Sequence, residues 1–266
     1  VGFTSEYFII DGIKSSDIGV DGCLLIRTDS EISRQIIGQK SVVKDIIRYR
    51  NIPYFYTVEK GVIEFDLKFS LQDNEFDDIR LFELGKIFAK DRYVEFISMD
   101  YPGIVFYVIA TSIELITYGL YKGWIQVKLE NCANFAFSPL EISTFDFSDL
   151  TSTQTFEIDA KFNVQHPKYG YYYFPKLLID MKGNATSITL LNLSDGNRQF
   201  GFTGLSVLES LEIDNELKQI TSSTGNNRFD NMINNHAFFR LVYGKNIITV
   251  NTPCVLQFQC QYPVYI

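Results

Sequence analysis

Few residues in this 266-residue chain carry side chains suited to covalent or metal chemistry, and their spacing limits what they can do. The histidines are His166 and His236, and the cysteines are Cys23, Cys132, Cys254 and Cys260. Nucleophilic catalysis of the Ser-His-Asp or Cys-His kind needs a histidine beside the nucleophile and a third group to orient it. His166 precedes Pro167 in a tyrosine-rich stretch and His236 follows Asn234-Asn235, so both read as turn or surface positions. The sequence contains no GxSxG, HExxH or GxxxxGK[ST] pattern that would supply a nucleophile elbow, a zinc helix or a phosphate cradle. The cysteines form no CxxC pair, so no metal site and no cofactor is expected. Cys254 and Cys260 lie an even number of residues apart in a strand-like run, which puts two free thiols on one face.

Paired carboxylates could do glycosidase work. The acids that cluster are Glu75, Asp77 and Asp78, and then Glu141, Asp146, Asp149, Glu157 and Asp159. A helix dipole accounts for the first group and solvation of a connecting segment for the second. The expectation is a protein that is not an enzyme.

Two surfaces could bind rather than react. In Tyr169-Gly170-Tyr171-Tyr172-Tyr173-Phe174-Pro175, Tyr171 and Tyr173 could stack on sugar rings. The plainer reading is a strand with alternate rings buried between two sheets. The segment from Arg27 to Arg50 holds six Lys or Arg against three acids, interleaved with apolar residues. Arg34, Ile36, Ile37, Val42, Val43, Ile46 and Ile47 are its candidate interface residues. It reads as a long loop or arm, which packs most simply on its own domain; an arm facing a partner in an assembly accommodates both the charge and the apolar content.

The elements that must position these residues are mostly strands. Fifteen per cent aromatic residues with a single Trp and three Met favour pleated, half-buried surfaces. Val62 to Ser70 alternates cleanly, and Tyr93–Ile97, Ile104–Ala110, Ile113–Gly119 and Gly123–Leu129 follow as further strands. One helix is predicted over about residues 75–89, capped by Asp73 or Asn74, with Ile79, Phe82 and Ile87 as its core-facing stripe. The acidic stretch from Ser138 to Thr155 reads as an interdomain crossing. Seven strand-like runs beyond it, from Pro175 to Tyr262, are separated by turn residues such as Lys182-Gly183-Asn184 and Gly244-Lys245-Asn246, the pattern of a two-sheet sandwich. The fold class is therefore all-β with one helix: an N-terminal β-sandwich or barrel domain over 1–139 and a C-terminal β-sandwich over 140–266.

A net charge of −8 disfavours a nucleic-acid backbone as the main partner. No run approaches the roughly 18–20 apolar residues of a membrane helix, and the start of the chain has no basic region followed by an apolar core. Membrane insertion is not expected, and the chain reads as made in a cytoplasm.

The order of these features resembles the distal tail proteins of siphophages that infect Gram-positive bacteria. The opening FIIDGIKSSDIGV, through Ile10, Asp11, Gly12, Ser15, Ser16, Asp17 and Gly19, is similar to the family's entry strand and turn. The strand ending at Ser70, the helix, and RYVEFISMDYPGIVFYVIA with its turn at Asp100, Tyr101 and Pro102 resemble its middle. The second half, with its Ile213-Asp214-Asn215 turn and closing Gly244-x-Asn246 hairpin, looks like the family's galectin-like domain. The resemblance implies a virion protein of the tail tip or baseplate, assembled in the host cytoplasm. It implies a homo-hexameric ring of N-terminal domains joining the tail tube to a tail-associated fibre or lysozyme-bearing protein and the host-attachment apparatus, with a receptor-binding protein as a further partner. The alternative is a carbohydrate-binding module for a cell-surface glycan.

Overall fold

The computed structural model describes residues 5–17, 23–25, 38–71, 78–118, 121–166, 170–233 and 237–265. The chain forms two compact units, Val1–Ser138 with Val264–Ile266, and Pro139–Pro263.

The N-terminal unit is built on a seven-stranded antiparallel sheet, in the order Ile13–Lys14, Phe8–Ile10, Val94–Ser98, Phe106–Tyr118, Tyr121–Asn131, Glu64–Leu71, Cys23–Leu25. Strand alternation decides its faces: Phe65, Leu67 and Phe69 point into the core, together with Phe8, Phe96, Phe106, Val127 and Leu129. The rings of Phe65 and Phe106 meet edge-on at 5.3 Å, and Phe8 and Phe96 lie 5.7 Å apart. Asp11 and Gly12 turn the first two strands with φ of 50° and 76°. Two successive positive φ values make the two-residue hairpin loop for which Asp-Gly is suited, and Arg92 clamps the Asp11 carboxylate with two hydrogen bonds.

Two expectations change here. Ile104–Ala110 and Ile113–Gly119 are one strand, Phe106–Tyr118, because the Thr111-Ser112 interruption is a register shift and not a turn. The α-helix runs Asp78–Phe88, and its expected caps Asp73 and Asn74 lie outside the described residues. Its core-facing stripe is also rotated from the expected one. Leu84 and Phe88 are buried, with Leu81 and Ile87 packed beside them, while Ile79 and Phe82 face outwards.

The C-terminal unit is a sandwich. One sheet has five strands in the order Glu141–Asp146, Cys254–Cys260, Lys176–Met181, Ser210–Asp214, Gln219–Ser222. The other has four: Gln154–Ala160, Gly244–Val250, Ile188–Asn192, Arg198–Phe202. Phe156 of the second sheet contacts Phe145 (4.4 Å) and Phe258 (5.8 Å) of the first, so aromatic rings fill the space between them. The stretch Ser138–Thr155 is therefore not a linker. Glu141–Asp146 is an edge strand whose acids point to solvent, and the chain passes between the units at Ser138/Pro139. Cys254 and Cys260 share the buried face, and burial pushes their thiols up to about 12 and about 11.

Two asparagines organise this unit. Asn215, fully enclosed, donates to Pro175 O at 2.6 Å and accepts from Phe239 N at 2.9 Å. Asn246 donates to Val242 O and Gly244 O and accepts from Val242 N and from Asn192 Nδ2, all within 3.0 Å. Side-chain amides satisfy backbone groups that a turn leaves without ladder partners, which gives both residues a structural role.

Candidate functional site

The feature of the N-terminal unit that its own core does not explain is a hairpin. Lys40–Asp45 pairs with Tyr54–Lys60 as a separate two-stranded sheet. Of the segment expected to be a long loop or arm, residues 38–50 hold the strand Lys40–Asp45 and part of the turn that follows it, and residues 27–37 lie outside the described residues. At its root, Gly38 N donates to Asn134 O at 3.2 Å and Gly61 N donates to Gln39 O at 2.6 Å. A Cβ on Gly38 would lie 2.2 Å from Gly61 O, so only glycine permits the two chain ends to leave the body this close together.

Alternation along the hairpin gives it two apolar faces. Val42 and its partner Val58 fall on one side and Val43 and Thr57 on the other; past the register shift between Val43 and Lys44, the neighbours Tyr54 and Phe55 point to opposite sides. Val42 is 55% exposed, Phe55 58% and Tyr56 56%, and at the turn Ile46 is 80% and Ile52 78% exposed. Val43, Ile47, Tyr49 and Tyr54 are exposed as well. Tyr54 and Tyr56 meet edge-on at 5.0 Å, which fixes an aromatic ridge on one face. A free two-stranded ribbon is marginal in water, and apolar side chains on both of its faces stabilise it only once something covers them.

The charges around these residues are uneven. Lys44, Arg48 and Arg50 are exposed near the turn. The nearby acid, Asp45, accepts from the Tyr56 hydroxyl at 2.8 Å, and that bond pushes the phenol above its ordinary range. Nearer the root, Ser41 Oγ donates to Glu59 at 3.3 Å. The turn is therefore basic and apolar together.

Of the expected interface residues, Val42, Val43, Ile46 and Ile47 lie on this hairpin, whereas Arg34, Ile36 and Ile37 lie outside the described residues. Tyr49, Ile52, Tyr54, Phe55 and Tyr56 were missed. Asn51-Ile52-Pro53 reads as turn punctuation and marks the turn, but not the strand beyond it.

The tyrosine cluster divides differently. Tyr172–Tyr173 pairs with Leu241–Val242. The Tyr173 hydroxyl accepts from Gln261 N at 2.8 Å, and its ring lies 4.8 Å from Tyr262 and 6.1 Å from Phe162. Burial raises its phenol far above the usual range. Tyr172 carries the Arg240 guanidinium 3.6 Å over its ring, and Arg240 in turn binds Asp195 through two hydrogen bonds. Tyr171, 57% exposed, is the member of the candidate pair open to a ligand. His166 bonds to Glu216 at 3.0 Å, and His236 lies outside the described residues. No group of three or more His, Cys, Asp or Glu able to hold a metal ion occurs among the described residues.

The chain matches the family model for a phage tail protein N-terminal domain over residues 3–133 and that for a phage tail C-terminal domain over residues 135–260. It is 24% identical over 263 residues to the SPbeta prophage-derived uncharacterized protein YomH of Bacillus subtilis (strain 168), covering 97% of each. Among solved structures it is similar to Dit (gp 19.1) of phage SPP1, with a TM-score of 0.66 and 10% identity over 96% of this chain and 98% of that one. The likeness shows a shared fold, and that protein is termed a paradigm of the hub adsorption apparatus in phages infecting Gram-positive bacteria. A chain of the activated phage P2 baseplate matches with a TM-score of 0.47 and 12% identity, over 95% of this chain and 97% of that one.

Proposed function

The chain belongs to the phage tail protein family whose two domain models together span it, and from that premise we propose that it is the hub of a tail tip. In this reading six copies close a ring through their N-terminal units. The ring joins the tail tube on one side to a tail-associated fibre or lysozyme-bearing protein and the host-attachment apparatus on the other. Its part in infection is structural and involves no catalysis.

The observation that carries the reading is the hairpin Lys40–Lys60, apolar on both faces and exposed on both. Cyclic assembly repeats one heterologous contact until it closes, and a projecting ribbon that cannot bury its own side chains is suited to make it. Its construction also defines the test. Lys40 and Lys60 are cross-strand partners, so Ser41–Glu59 can be excised and the ends joined by Asn-Gly without disturbing the root. The excised protein should remain folded in both units, by hydrogen exchange, and sediment as a monomer. A ring that survives excision refutes the hairpin's role.

A second reading, recognition of a cell-surface glycan by the C-terminal unit, is favoured by the exposed ring of Tyr171. Tyr173 contributes to it only by holding the strand in place.

A further inference from the structure

A strand with a neighbour on one side alone leaves a row of backbone N–H and C=O groups without partners, and another chain can supply them. The seven-stranded sheet contains such a row. Val94–Ser98 pairs with Phe106–Tyr118 only from Phe106 to Val108. From Ile109 onwards the long strand has Tyr121–Asn131 on one side and, among the described residues, no strand on the other. Its register against Tyr121–Asn131 shifts at Thr111 and again near Thr117, and residues 112–116 between them run regularly. Ile113 and Leu115 stand opposite Val127 and Ile125, which are buried in the core, yet they are 40% and 39% exposed. The core side of the sheet therefore continues past the side chains that cover it. Edges are commonly blunted by Lys or Pro; residues 110–118 contain neither, and their Thr and Ile favour extended pairing.

The hairpin has the matching groups. It is a sheet of two strands, so each strand has one open edge. The register shift between Val43 and Lys44 leaves Tyr56 as an extra residue in Tyr54–Lys60, and a bulge disrupts the edge on which it lies. Lys40–Asp45 is the regular strand of the two, with Val42 and Val43 exposed at its centre. Within one chain the two edges do not meet. The hairpin is rooted at Asn134, just past the Asn131 end of its neighbouring strand, whereas Leu115 pairs with Ile125, about 20 Å further along that strand. Val42 and Leu115 both stay open to solvent. The match is one of backbone groups and apolar side chains and needs no net charge on either side.

We propose that the strand Lys40–Asp45 of one copy adds to the open edge, residues 109–117, of the next copy. The inference rests on the ring reading above and names the surface that receives the hairpin. The added strand pairs its free N–H and C=O groups with those of the edge and lays Val42 or Val43 beside Ile113 and Leu115. Each copy gives one edge and receives at another, which is the heterologous contact that closes a ring by repetition.

Cross-linking of the assembled full chain tests it. In a Cys132→Ser background, because Cys132 is exposed while Cys254 and Cys260 are buried, one chain carries Val42→Cys with Leu115→Cys and a second carries Val43→Cys with Leu115→Cys. Val42 and Val43 point to opposite sides of the hairpin, so one of the two pairs shares the side of Leu115 whichever way the strand lies. A short bismaleimide reagent should join that chain into a ladder of covalent multimers, while chains with a single added cysteine give none. On assembly, the amides of residues 40–45 and 109–117 should both exchange about tenfold or more slowly than in the dilute, dissociated chain. Ile113→Lys with Leu115→Lys, at half-exposed positions, should raise the concentration needed for assembly by about tenfold or more. If neither pair gives multimers, or the link stays within one chain, and exchange at residues 109–117 is unchanged by assembly, the receiving edge is wrong; the ring reading stands if hairpin excision still dissolves the ring. If the unaltered chain forms no oligomer, the ring reading fails and the edge pairing with it.

Discussion

Replacing Asn246 by Ala tests how the C-terminal sandwich closes its final hairpin. The side chain is fully buried and holds four hydrogen bonds, with Val242 N, Val242 O, Gly244 O and Asn192 Nδ2. Val242 and Gly244 are half-buried, so their carbonyls can recover water, and Asn192 keeps its bond to Arg240 O at 3.2 Å. The loss therefore concentrates on the Val242 amide and on Asn192, and at about 1.5 kcal/mol for each weakened or orphaned group it comes to about 3 kcal/mol. For a unit of this size, with a urea dependence near 2 kcal/mol per molar, the midpoint should fall by about 1.5 M. The two units can be followed separately. The single tryptophan, Trp124, belongs to the N-terminal unit, so its fluorescence transition should not move, while amide hydrogen exchange across residues 139–263 should report the loss. The exposed Asn226→Ala is the control and should stay within about 0.5 kcal/mol. A midpoint for Asn246→Ala within 0.3 M of the unaltered protein would refute the account, where that threshold is about a fifth of the expected shift.

Three further outcomes follow from the geometry. Burial alone would raise the Glu209 carboxyl, but hydrogen bonds from Arg228, Ser222 and Ser206 N outweigh it and hold the group down at about 2. A depressed carboxylate stabilises the folded state above its unfolded value near 4.5 and loses that contribution as pH falls towards 2. Acid titration of the C-terminal unit should accordingly show a loss over this window that Glu209→Gln flattens; an unchanged profile contradicts the pairing. In the N-terminal unit, a Cβ on Gly123 would lie 1.5 Å from Ile116 O, so Gly123→Ala should destabilise that unit by about 3 kcal/mol, read by the neighbouring Trp124. In the tyrosine cluster, Tyr173→Ala should cost about 3 kcal/mol through loss of its packing against Tyr262 and Phe162. Tyr171→Ala should leave stability within about 0.5 kcal/mol, and if the C-terminal unit binds a glycan, this change alone should abolish retention on cell-wall preparations.

Much of the architecture is legible from residue patterning because strands that bury one face announce it. Phe65, Leu67 and Phe69 alternate with Asp66 and Lys68, and all three apolar residues are buried. The Asp11-Gly12 pair and the Asn-Gly-rich connectors mark turns because they tolerate φ values that other residues resist. The failures have an equally local cause. The helix's apolar residues are distributed around it, so periodicity alone selected Ile79 and Phe82 as core when packing chose Leu84 and Phe88. The stretch Glu141–Asp146 was mistaken for a linker because an edge strand can carry its polar residues outwards while its partner supplies the core. Tyr173 illustrates a harder limit: whether an aromatic ring is a platform or a core residue depends on Gln261 and Tyr262, 88 and 89 positions away. The hairpin was partly legible as a basic, apolar arm, but its return strand was not, since Tyr54, Phe55 and Tyr56 are apolar on both faces and show no alternation to detect.

The claim on which the rest depends is that the N-terminal units assemble through the hairpin. Light scattering coupled to size exclusion, across a concentration series of the full chain and of the protein lacking Ser41–Glu59, measures it most directly. The account predicts a particle of six times the 30.6 kDa chain mass for the full chain and a single-chain mass for the excised protein. A full chain that stays at single-chain mass throughout the series, or an excised protein that assembles as well as the full chain, would contradict it.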